Sequence, residues 1–265
     1  MLSLLTLPMK SKKRKHGWHD NDDLWRAWYP FLFGKKKFEN AEKLTDRIVE
    51  LLEPEGKKGL DLACGPGRFA IPLAARGYDI TGVDRLQYYL DRGRARARRA
   101  GVNIAWRKKD MREFVQPEAF DFVVNLWSSF GYFEDRADDL KMLENALASL
   151  RPGGKILIDN MGKEIYALNK TYAWSEERPD GSLFVDCGKV VDDWTRVKRS
   201  WLLVRGKKLE HRFDFTLNLY SGQEMRELME RAGFENVRVY GNFRGDAYDE
   251  RAVRQIAIAQ RPKSL

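Results

Sequence analysis

The residues best suited to chemistry follow a short apolar run. The segment Leu60–Ala70 reads Leu-Asp-Leu-Ala-Cys-Gly-Pro-Gly-Arg-Phe-Ala, in which a predicted strand ends, a Gly-x-Gly turn follows and a predicted helix begins. Glycines allow a sharp backbone turn, and they let a ligand approach where a Cβ atom would clash. Asp84 ends the next predicted strand, where a carboxylate can accept both hydroxyl hydrogens of a ribose. This pattern predicts a nucleotide-like ligand.

The glycine loop and Asp84 also fit, by spacing alone, the dinucleotide fingerprint of nicotinamide oxidoreductases. Three features favour a different ligand. Asp61 lies at the strand end, where dinucleotide sites usually have an apolar residue. Asp110 and Met111 follow the third predicted strand, where they would flank an adenine, and the turn Arg151–Gly154 precedes the fifth strand.

Alternating strands and helices must position these residues. From Gly59 to Asp159 short apolar strands alternate with amphipathic helices, a pattern typical of a parallel sheet covered on both faces. The fifth predicted strand is Lys155–Asp159, and two closing strands follow a helix that begins with the capping box Ser221–Glu224. We therefore expect an α/β fold with a seven-stranded, mostly parallel sheet.

Between residues 161 and 220 the alternation of predicted strands and helices gives way to consecutive strands. Four segments read as consecutive strands: Ser182–Asp186, Val190–Val197, Arg199–Val204 and Leu209–Leu219. They predict an antiparallel β lid inserted after the fifth strand. We expect four parts of the chain: a basic flexible tail (1–17), an aromatic arm with the cofactor-binding core (18–160), the lid (161–220) and the rest of the core (221–265).

Composition narrows the class of protein. The chain has 265 residues, 43% of them hydrophobic, and it has no apolar run of about 18 residues that would predict a membrane span. With two cysteines and three histidines, it predicts neither a disulfide scaffold nor a metal site. The net charge of +9 includes the basic run Lys10–Lys15, which we interpret as a solvated tail. We expect a reduced, cytoplasmic protein.

Taken together, the motifs resemble those of the class I S-adenosylmethionine-dependent methyltransferases, over about Trp25 to Arg261. Five segments match the motifs of that family in order: Asp61–Arg68, Gly82–Asp84, Asp110-Met111, Asp121–Asn125 and Leu150–Gly154. Ser128–Phe133 and Leu219–Ser221 look like a small-molecule subgroup with a β-rich lid, although Asn218 stands where that subgroup commonly has arginine. The resemblance implies a Rossmann-like fold with helices on both faces and S-adenosylmethionine as the cofactor.

The resemblance also implies roles for single residues. The loop Gly65–Gly67 would receive the methionine part of the cofactor, Asp84 the ribose diol and Asp110 the adenine amino group, with Asn125 and Leu126 under the sulfonium. The expected cofactor contacts are Asp61, Ala63, Gly65, Gly67, Asp84, Arg85, Asp110, Met111, Asn125 and Leu126.

Acceptor contacts and catalytic groups are expected in the arm, after the fourth strand and around the lid. Aromatic rings suit a cationic sulfonium, and arginines suit an acidic or hydroxylated acceptor. The expected acceptor contacts are Trp25, Tyr29, Trp127, Ser129, Tyr132, Arg212 and Arg244. His211, whose type titrates near pH 6.5, and Tyr220 are the catalytic candidates.

The expected reaction is in-line methyl transfer to nitrogen or oxygen of a small-molecule acceptor, by a monomer or homodimer with no membrane association. A competing hypothesis is a nucleic-acid (RNA) methyltransferase, which the tail and the arginines of Arg92–Arg99 would suit. Asn125–Ser128 lacks the Asn/Asp-Pro-Pro-aromatic signature of exocyclic-amine methylation. The sequence also leaves open a non-catalytic protein that binds S-adenosylmethionine or S-adenosylhomocysteine, and a nicotinamide oxidoreductase.

Overall fold

The computed structural model of the chain describes residues 17–169 and 172–263. The basic run Lys10–Lys15, and with it nearly all of the expected tail, lies outside the described residues. A short 3₁₀ helix, Trp18–Asp20, precedes the α-helices. The helices are α1 (Asp22–Leu32), α2 (Lys35–Leu52), α3 (Ala70–Ala75), α4 (Gln87–Ala100), α5 (Arg136–Ser149), α6 (Lys163–Leu168) and α7 (Gly222–Arg231).

The strands of the described residues form two separate sheets. Their bounds are β1 (Lys58–Leu62), β2 (Asp79–Asp84), β3 (Ile104–Lys108), β4 (Phe120–Asn125), β5 (Leu150–Asn160), β6 (Tyr172–Glu177), β7 (Ser182–Val191), β8 (Arg196–Arg205), β9 (Lys208–Asn218), β10 (Glu235–Tyr240) and β11 (Gln255–Gln260).

The larger sheet has seven strands in the order β10-β11-β5-β4-β1-β2-β3. β1 to β5 are mutually parallel, and β11 runs antiparallel to both β5 and β10. Along β4, Val123 packs with α5 and α7 on one face, while Phe122 and Val124 pack with α2 and α3 on the other. The expected α/β fold with a mostly parallel, doubly covered sheet is confirmed. The strand order reverses between β1 and β4, which is where open α/β sheets bind ligands.

The smaller sheet is antiparallel, in the order β6-β7-β8-β9. It lies after β5 in the chain, as expected for the lid, but its strands differ from the predicted ones. The segment Val190–Val197 is not one strand, because residues 192–194 form a turn with left-handed φ angles of 51°, 50° and 67° between β7 and β8. The structure also adds β6, which the sequence pattern did not predict, and extends β5 beyond Lys155–Asp159.

The smaller sheet leaves and rejoins the core at one place. Just after β5, the Lys163 N–H donates to the Tyr220 carbonyl at 3.1 Å, and the Lys163 ammonium pairs with Glu224 at 2.8 Å. The Gly222 N–H donates to the Glu164 carboxylate at 2.9 Å. Ser221 and Glu224 form the predicted capping box at the start of α7. The two ends of the insertion are therefore fastened to each other as well as to the core.

The N-terminal arm, 17–38, packs between the two sheets. The side chain of Asn21 accepts a hydrogen bond from the Leu24 N–H and so caps α1. On the apolar side of α1, Trp28 lies 5.7 Å from the Trp201 ring in β8. Within residues 17–169 and 172–263, no helix has the length and apolar character needed to cross a membrane.

Candidate functional site

The glycine loop between β1 and α3 has the backbone geometry that its sequence predicts. Ala63, Gly65 and Gly67 have φ angles of 58°, 56° and 78°, a region where side chains are strained and glycine is not. A Cβ atom on Gly65 would lie 3.3 Å from the ring of Phe33, and one on Gly67 would lie 2.7 Å from Trp106. Glycine at these two positions thus lets the loop pack closely against aromatic rings, and Gly65 is left bare toward the cavities beside it.

A narrow cavity of about 110 Å³ opens beside this loop, at the carboxyl ends of β1, β2 and β3. Most of the expected cofactor contacts line it: Ala63, Gly65, Asp84, Arg85, Asp110 and Met111. A larger cavity of about 930 Å³ adjoins it and has Asp61 and Leu126 in its wall. Both cavities share Trp25, Phe33, Ala63, Gly65, Ser129 and Tyr132, so a ligand on the loop can reach into both.

Asp84 is held by the backbone on both of its carboxylate oxygens. The Gly65 N–H donates to Oδ2 at 2.9 Å, and the Leu86 N–H donates to Oδ1 at 2.8 Å. Burial raises the pKa of Asp84 to about 6, although these two hydrogen bonds oppose the shift. Each oxygen keeps a lone pair for a further donor, so the group is fixed in place and still able to accept from a diol.

Asp110 is oriented by a neighbouring arginine. Its oxygens accept from the Arg112 backbone N–H at 2.8 Å and from the Arg112 guanidinium at 2.8 and 3.1 Å. Although burial opposes it, these hydrogen bonds lower the pKa of Asp110. An ionised carboxylate with spare lone pairs therefore faces the narrow cavity and can accept from an exocyclic amine.

The N-terminal arm covers the narrow cavity. Arg85 donates to the carbonyls of His19 and Asp20 at 3.0 and 3.1 Å, and to the Asp22 carboxylate at 2.7 Å. The His19 ring is buried against Phe133, and neither of its nitrogens has a hydrogen-bond partner among the described residues. Burial lowers the pKa of His19, so the ring is neutral at pH 7. His19 lines the narrow cavity but was not among the expected contacts. Its position in the aromatic arm is the sequence feature that could have indicated it.

The larger cavity lies between the core, the arm and the smaller sheet. Its sheet side is built from aromatic rings around one buried ion pair, in which Arg199 donates to Asp186 at 2.9 Å and to the Tyr166 hydroxyl at 2.9 Å. The rings on that side belong to Tyr172, Trp174, Phe184, Trp201 and Phe215. A mostly apolar cavity with a few fixed polar groups is typical of small-molecule sites.

The turn after β4 has a strained backbone that one carboxylate holds. Trp127 and Ser128 have φ angles of 65° and 59°. The Trp127 N–H donates to the Asp159 carboxylate at 2.8 Å, and the Ser128 N–H donates to the Asp159 carbonyl at 2.9 Å. Arg254 donates to Asp159 at 2.6 Å and to the Ser128 hydroxyl at 2.9 Å. Because such strain persists where the surroundings enforce it, this turn is a fixed wall of the larger cavity.

Comparison with known proteins decides the family. Residues 60–154 match the family described as "Methyltransferase domain", and this stretch contains the glycine loop, Asp84 and Asp110. Residues 60–154 therefore form a methyltransferase domain, and the described chain has the class I fold of solved S-adenosylmethionine-dependent methyltransferases. This methyltransferase is an enzyme, and proteins with the same fold are named as S-adenosylmethionine-dependent or SAM-bound methyltransferases.

The similarity to relatives extends over most of the methyltransferase. The putative methyltransferase YqeM of Bacillus subtilis (strain 168) is 25% identical over 82% of this chain and 89% of its own length. The structure of the CcbJ methyltransferase from Streptomyces caelestis has a TM-score of 0.72 at 17% identity, covering 84% of this chain and 95% of that one. SAM-bound CalS10, an amino pentose methyltransferase from Micromonospora echinaspora, has a TM-score of 0.62 at 20% identity, covering 90% and 96%.

The two catalytic candidates of this methyltransferase lie outside both cavities. His211 is exposed on β9, on the same face as Phe215 but nearer the end of the strand, where burial falls from Phe215 through half-buried Phe213 to His211. Tyr220 is buried in the core, where its hydroxyl donates to Asp139 at 2.7 Å. The structure thus places neither catalytic candidate in the wall of either cavity.

Five other expected contacts also lie elsewhere. Arg212 and Arg244 are exposed and pair with nearby aspartates, and Tyr29 is buried among Phe33, Tyr88 and Tyr89. Asn125 ties β4 to β1 through the Leu62 carbonyl at 2.9 Å, and Gly67 faces Trp106 behind the loop. These are the expected contacts that line neither cavity: Tyr29, Gly67, Asn125, Arg212 and Arg244.

Asp61 fits a role beside the ligand. It is 3% exposed and lines the larger cavity, and its Oδ2 atom has no hydrogen-bond partner among the described residues. Burial, with the charge of Asp84, raises the pKa of Asp61 to about 8. Such an orphaned buried oxygen points to a donor supplied by a ligand. The open glycine loop, Asp84, Asp110 and Asp61 thus fit the methionine, ribose and adenine parts of S-adenosylmethionine.

Proposed function

We propose that this methyltransferase transfers the methyl group of S-adenosylmethionine to nitrogen or oxygen of a small molecule bound in the larger cavity. The observation that carries the proposal is the joining of the two cavities at the glycine loop, because donor and acceptor must meet there. CalS10, with the same fold, is named as an amino pentose methyltransferase, which supports an acceptor of this size.

The cofactor would bind along the glycine loop. Asp84 would hold the ribose diol, Asp110 and Met111 the adenine, and Asp61, Ala63 and Gly65 the methionine part. Leu126 lines the larger cavity and would lie under the sulfonium, with Asn125 preceding it at the end of β4. S-adenosylmethionine supplies an electrophilic methyl group on a positively charged sulfur.

The acceptor would lie between the turn after β4 and the smaller sheet. Trp25 and Tyr132 stack at 6.0 Å with an interplanar angle of 16° and line both cavities, together with Ser129. Trp127 is the remaining expected acceptor contact in the wall. Rings of this kind favour a cation by about 0.5–2 kcal/mol each, and they exclude water from the reacting atoms.

Holding the methyl donor and the acceptor in position would supply most of the rate acceleration. Burial raises the pKa of Tyr132 to about 12, so its phenol keeps its proton at pH 7 and can donate but not act as a base. No histidine of the described residues lines the larger cavity. Holding donor and acceptor in line can contribute about 7–11 kcal/mol, and an amine attacks through its lone pair without prior loss of a proton.

We also propose a division of the chain that follows this chemistry. Residues 18–160 and 221–265 would bind the cofactor, and residues 161–220 would form the acceptor side of the site. The tail of residues 1–17 would be dispensable for methyl transfer. Removing it should leave the affinity for S-adenosylhomocysteine within about twofold, provided the arm from Trp18 onward is retained.

Two titrations test the proposal. Purified protein is titrated in a calorimeter with S-adenosylhomocysteine and, separately, with NADH. We expect micromolar binding of the first alone, and binding of NADH alone would refute the assignment of the glycine loop. Release of S-adenosylhomocysteine is then measured with small amines, small alcohols and total RNA as acceptors. Turnover with RNA alone would favour a nucleic-acid acceptor, and binding without any turnover a ligand-sensing protein.

A further inference from the structure

Arg68, directly after the glycine loop, is a buried cation without an ionic partner. Arg68 is only 7% exposed, yet its guanidinium forms no hydrogen bond or ion pair with the residues that the structure describes. It lies among rings instead, with its central carbon 4.3 Å from the ring centroid of Trp127 and 5.5 and 5.4 Å from those of Phe33 and Phe69.

The other buried or half-buried cations of the larger cavity are paired, and this sets Arg68 apart. The remaining cation–anion pairs of the wall are Arg199–Asp186, Arg254–Asp159 and Lys37–Glu176. Asp61 lies near Arg68, but burial raises its pKa to about 8, so it is neutral at pH 7. Lys36 and Glu177, also in the wall, are exposed to water. Among the described residues of the wall, Arg68 is therefore the one buried cation with no ion pair of its own; Asp159, the largest opposing charge that acts on it, pairs with Arg254.

A buried charge without a partner is costly, and the ring faces offset only part of that cost. A guanidinium presents a planar fork of N–H donors that matches a carboxylate better than it matches any neutral group. Arg68 also opens onto the same cavity as Gly65 and Trp127, so an anion can reach it from the position that the ligand would occupy.

We propose that Arg68 is the binding residue for a ligand carboxylate in the larger cavity. The inference rests on the proposed function, because it needs a ligand beside the glycine loop. Two molecules could bring the carboxylate: the cofactor, through its methionine end, or a methyl acceptor that is itself an acid. Both use the same chemistry, and Trp127 packs against the guanidinium in either case.

The variants separate charge from packing. Arg68→Met removes the charge but keeps much of the length, and Arg68→Lys keeps the charge but loses the planar fork. Arg96→Met is the matched control, since the Arg96 guanidinium also lies 4.3 Å from a ring centroid, that of Phe38, and lines neither cavity. Melting temperatures show which variants fold. If Arg68→Met does not fold, Arg68→Lys is compared with wild type in the same way, and we expect it to weaken binding of the carboxylate ligand by about threefold.

The first arm compares S-adenosylhomocysteine with 5′-methylthioadenosine, which has the same adenosine and sulfur but no amino-acid carboxylate. If the cofactor brings the carboxylate, Arg68→Met should weaken S-adenosylhomocysteine binding at least tenfold and methylthioadenosine binding less than twofold. Arg96→Met should change neither. This pair of ratios is the signature of a lost carboxylate contact, since a general distortion would weaken both ligands.

The second arm tests the acceptor as the source. With S-adenosylhomocysteine saturating, benzoate and benzamide are titrated as ring-shaped probes with and without a carboxylate. If the acceptor brings the carboxylate, Arg68→Met should leave S-adenosylhomocysteine binding unchanged and weaken benzoate binding at least tenfold, with benzamide unaffected. If Arg68→Met discriminates in neither arm, the inference is overturned. A wild-type protein that binds no S-adenosylhomocysteine would instead overturn the proposed function.

Discussion

Replacing Asp84 is the most informative single change, because this carboxylate has two tasks. It holds the glycine loop through the Gly65 N–H and the following helix through the Leu86 N–H, and we propose that its remaining lone pairs accept from the ribose diol. Asp84→Ala removes all of these acceptors. We expect weaker binding of S-adenosylhomocysteine together with a measurable loss of stability.

The size of the effect follows from the contacts. A hydrogen bond to a charged group contributes about 1.5–3 kcal/mol, and loss of one such bond to the ribose corresponds to a weakening of at least about tenfold, since about 1.4 kcal/mol is tenfold. Asn at this position would also disturb the backbone that Asp84 holds. Its NH₂ group cannot accept, so either the Gly65 or the Leu86 N–H would lose its acceptor.

Calorimetric titration with S-adenosylhomocysteine measures the change, and Asp121→Ala is the matched control. Asp121 also accepts from a backbone N–H, that of Lys58 at 2.8 Å, and pairs with Arg151 at 2.7 Å, but it lies at the opposite end of the sheet. We expect Asp121→Ala to lower the melting temperature without changing the affinity.

The pH dependence gives a second readout of Asp84. Because burial raises its pKa to about 6, the carboxylate becomes protonated as the pH falls through 6, and affinity for S-adenosylhomocysteine should fall with it. Asp84→Ala should lack that dependence. Equal affinities of Asp84→Ala and wild type at pH 7.5 would refute the ribose assignment, whatever the melting temperatures.

Three further outcomes are expected. Burial raises the pKa of Asp61 from 3.8 to about 8, so between pH 4 and 8 the folded state keeps a proton that the unfolded chain has lost, and the stability from this group falls as the pH rises. Asp61→Asn should remove that fall. The same change of melting temperature between pH 5 and 9 in variant and wild type would contradict the prediction. Ser221→Ala removes one half of a capping box and should lower the free energy of unfolding by about 1 kcal/mol while leaving S-adenosylhomocysteine binding within about twofold. Tyr220→Phe removes the hydroxyl that donates to buried Asp139 and should lower the free energy of unfolding, measured by denaturant titration, by about 1–3 kcal/mol. His211 is exposed, so His211→Ala should leave stability and turnover unchanged. Loss of turnover in His211→Ala would support a catalytic role for His211.

The cofactor half of the site could be predicted from sequence because its residues are close together along the chain and depend on backbone geometry. Gly65 and Gly67 mark left-handed backbone that few other residues adopt, and Asp84 ends a strand adjacent to β1. Strand and helix periodicity placed β1 to β5 in one parallel sheet. These signals are local, so no knowledge of tertiary contacts was needed.

The acceptor side could not be predicted, because it forms only when distant segments meet. Asp186 and Arg199 come together through the β7–β8 pairing, and His19 reaches the narrow cavity only because Arg85 holds the arm. The alternating pattern of β9 placed His211 on the same face as Phe213 and Phe215, as the structure does, but it could not show that the cover over this face ends before His211. The turn at 192–194 contains no glycine or proline, so the valines on either side read as one strand.

The fastening of the smaller sheet has a consequence for how such a chain can change. Its entry at Lys163 and its exit at Tyr220 are joined by a backbone hydrogen bond of 3.1 Å, so the chain leaves the core and returns to it at one place. Closing a longer loop costs only about 0.6 kcal/mol for each doubling of its length. A change of length within the insertion therefore costs little chain entropy and leaves the ends of β5 and α7 held together, so the acceptor side of the site can be altered separately from the glycine loop.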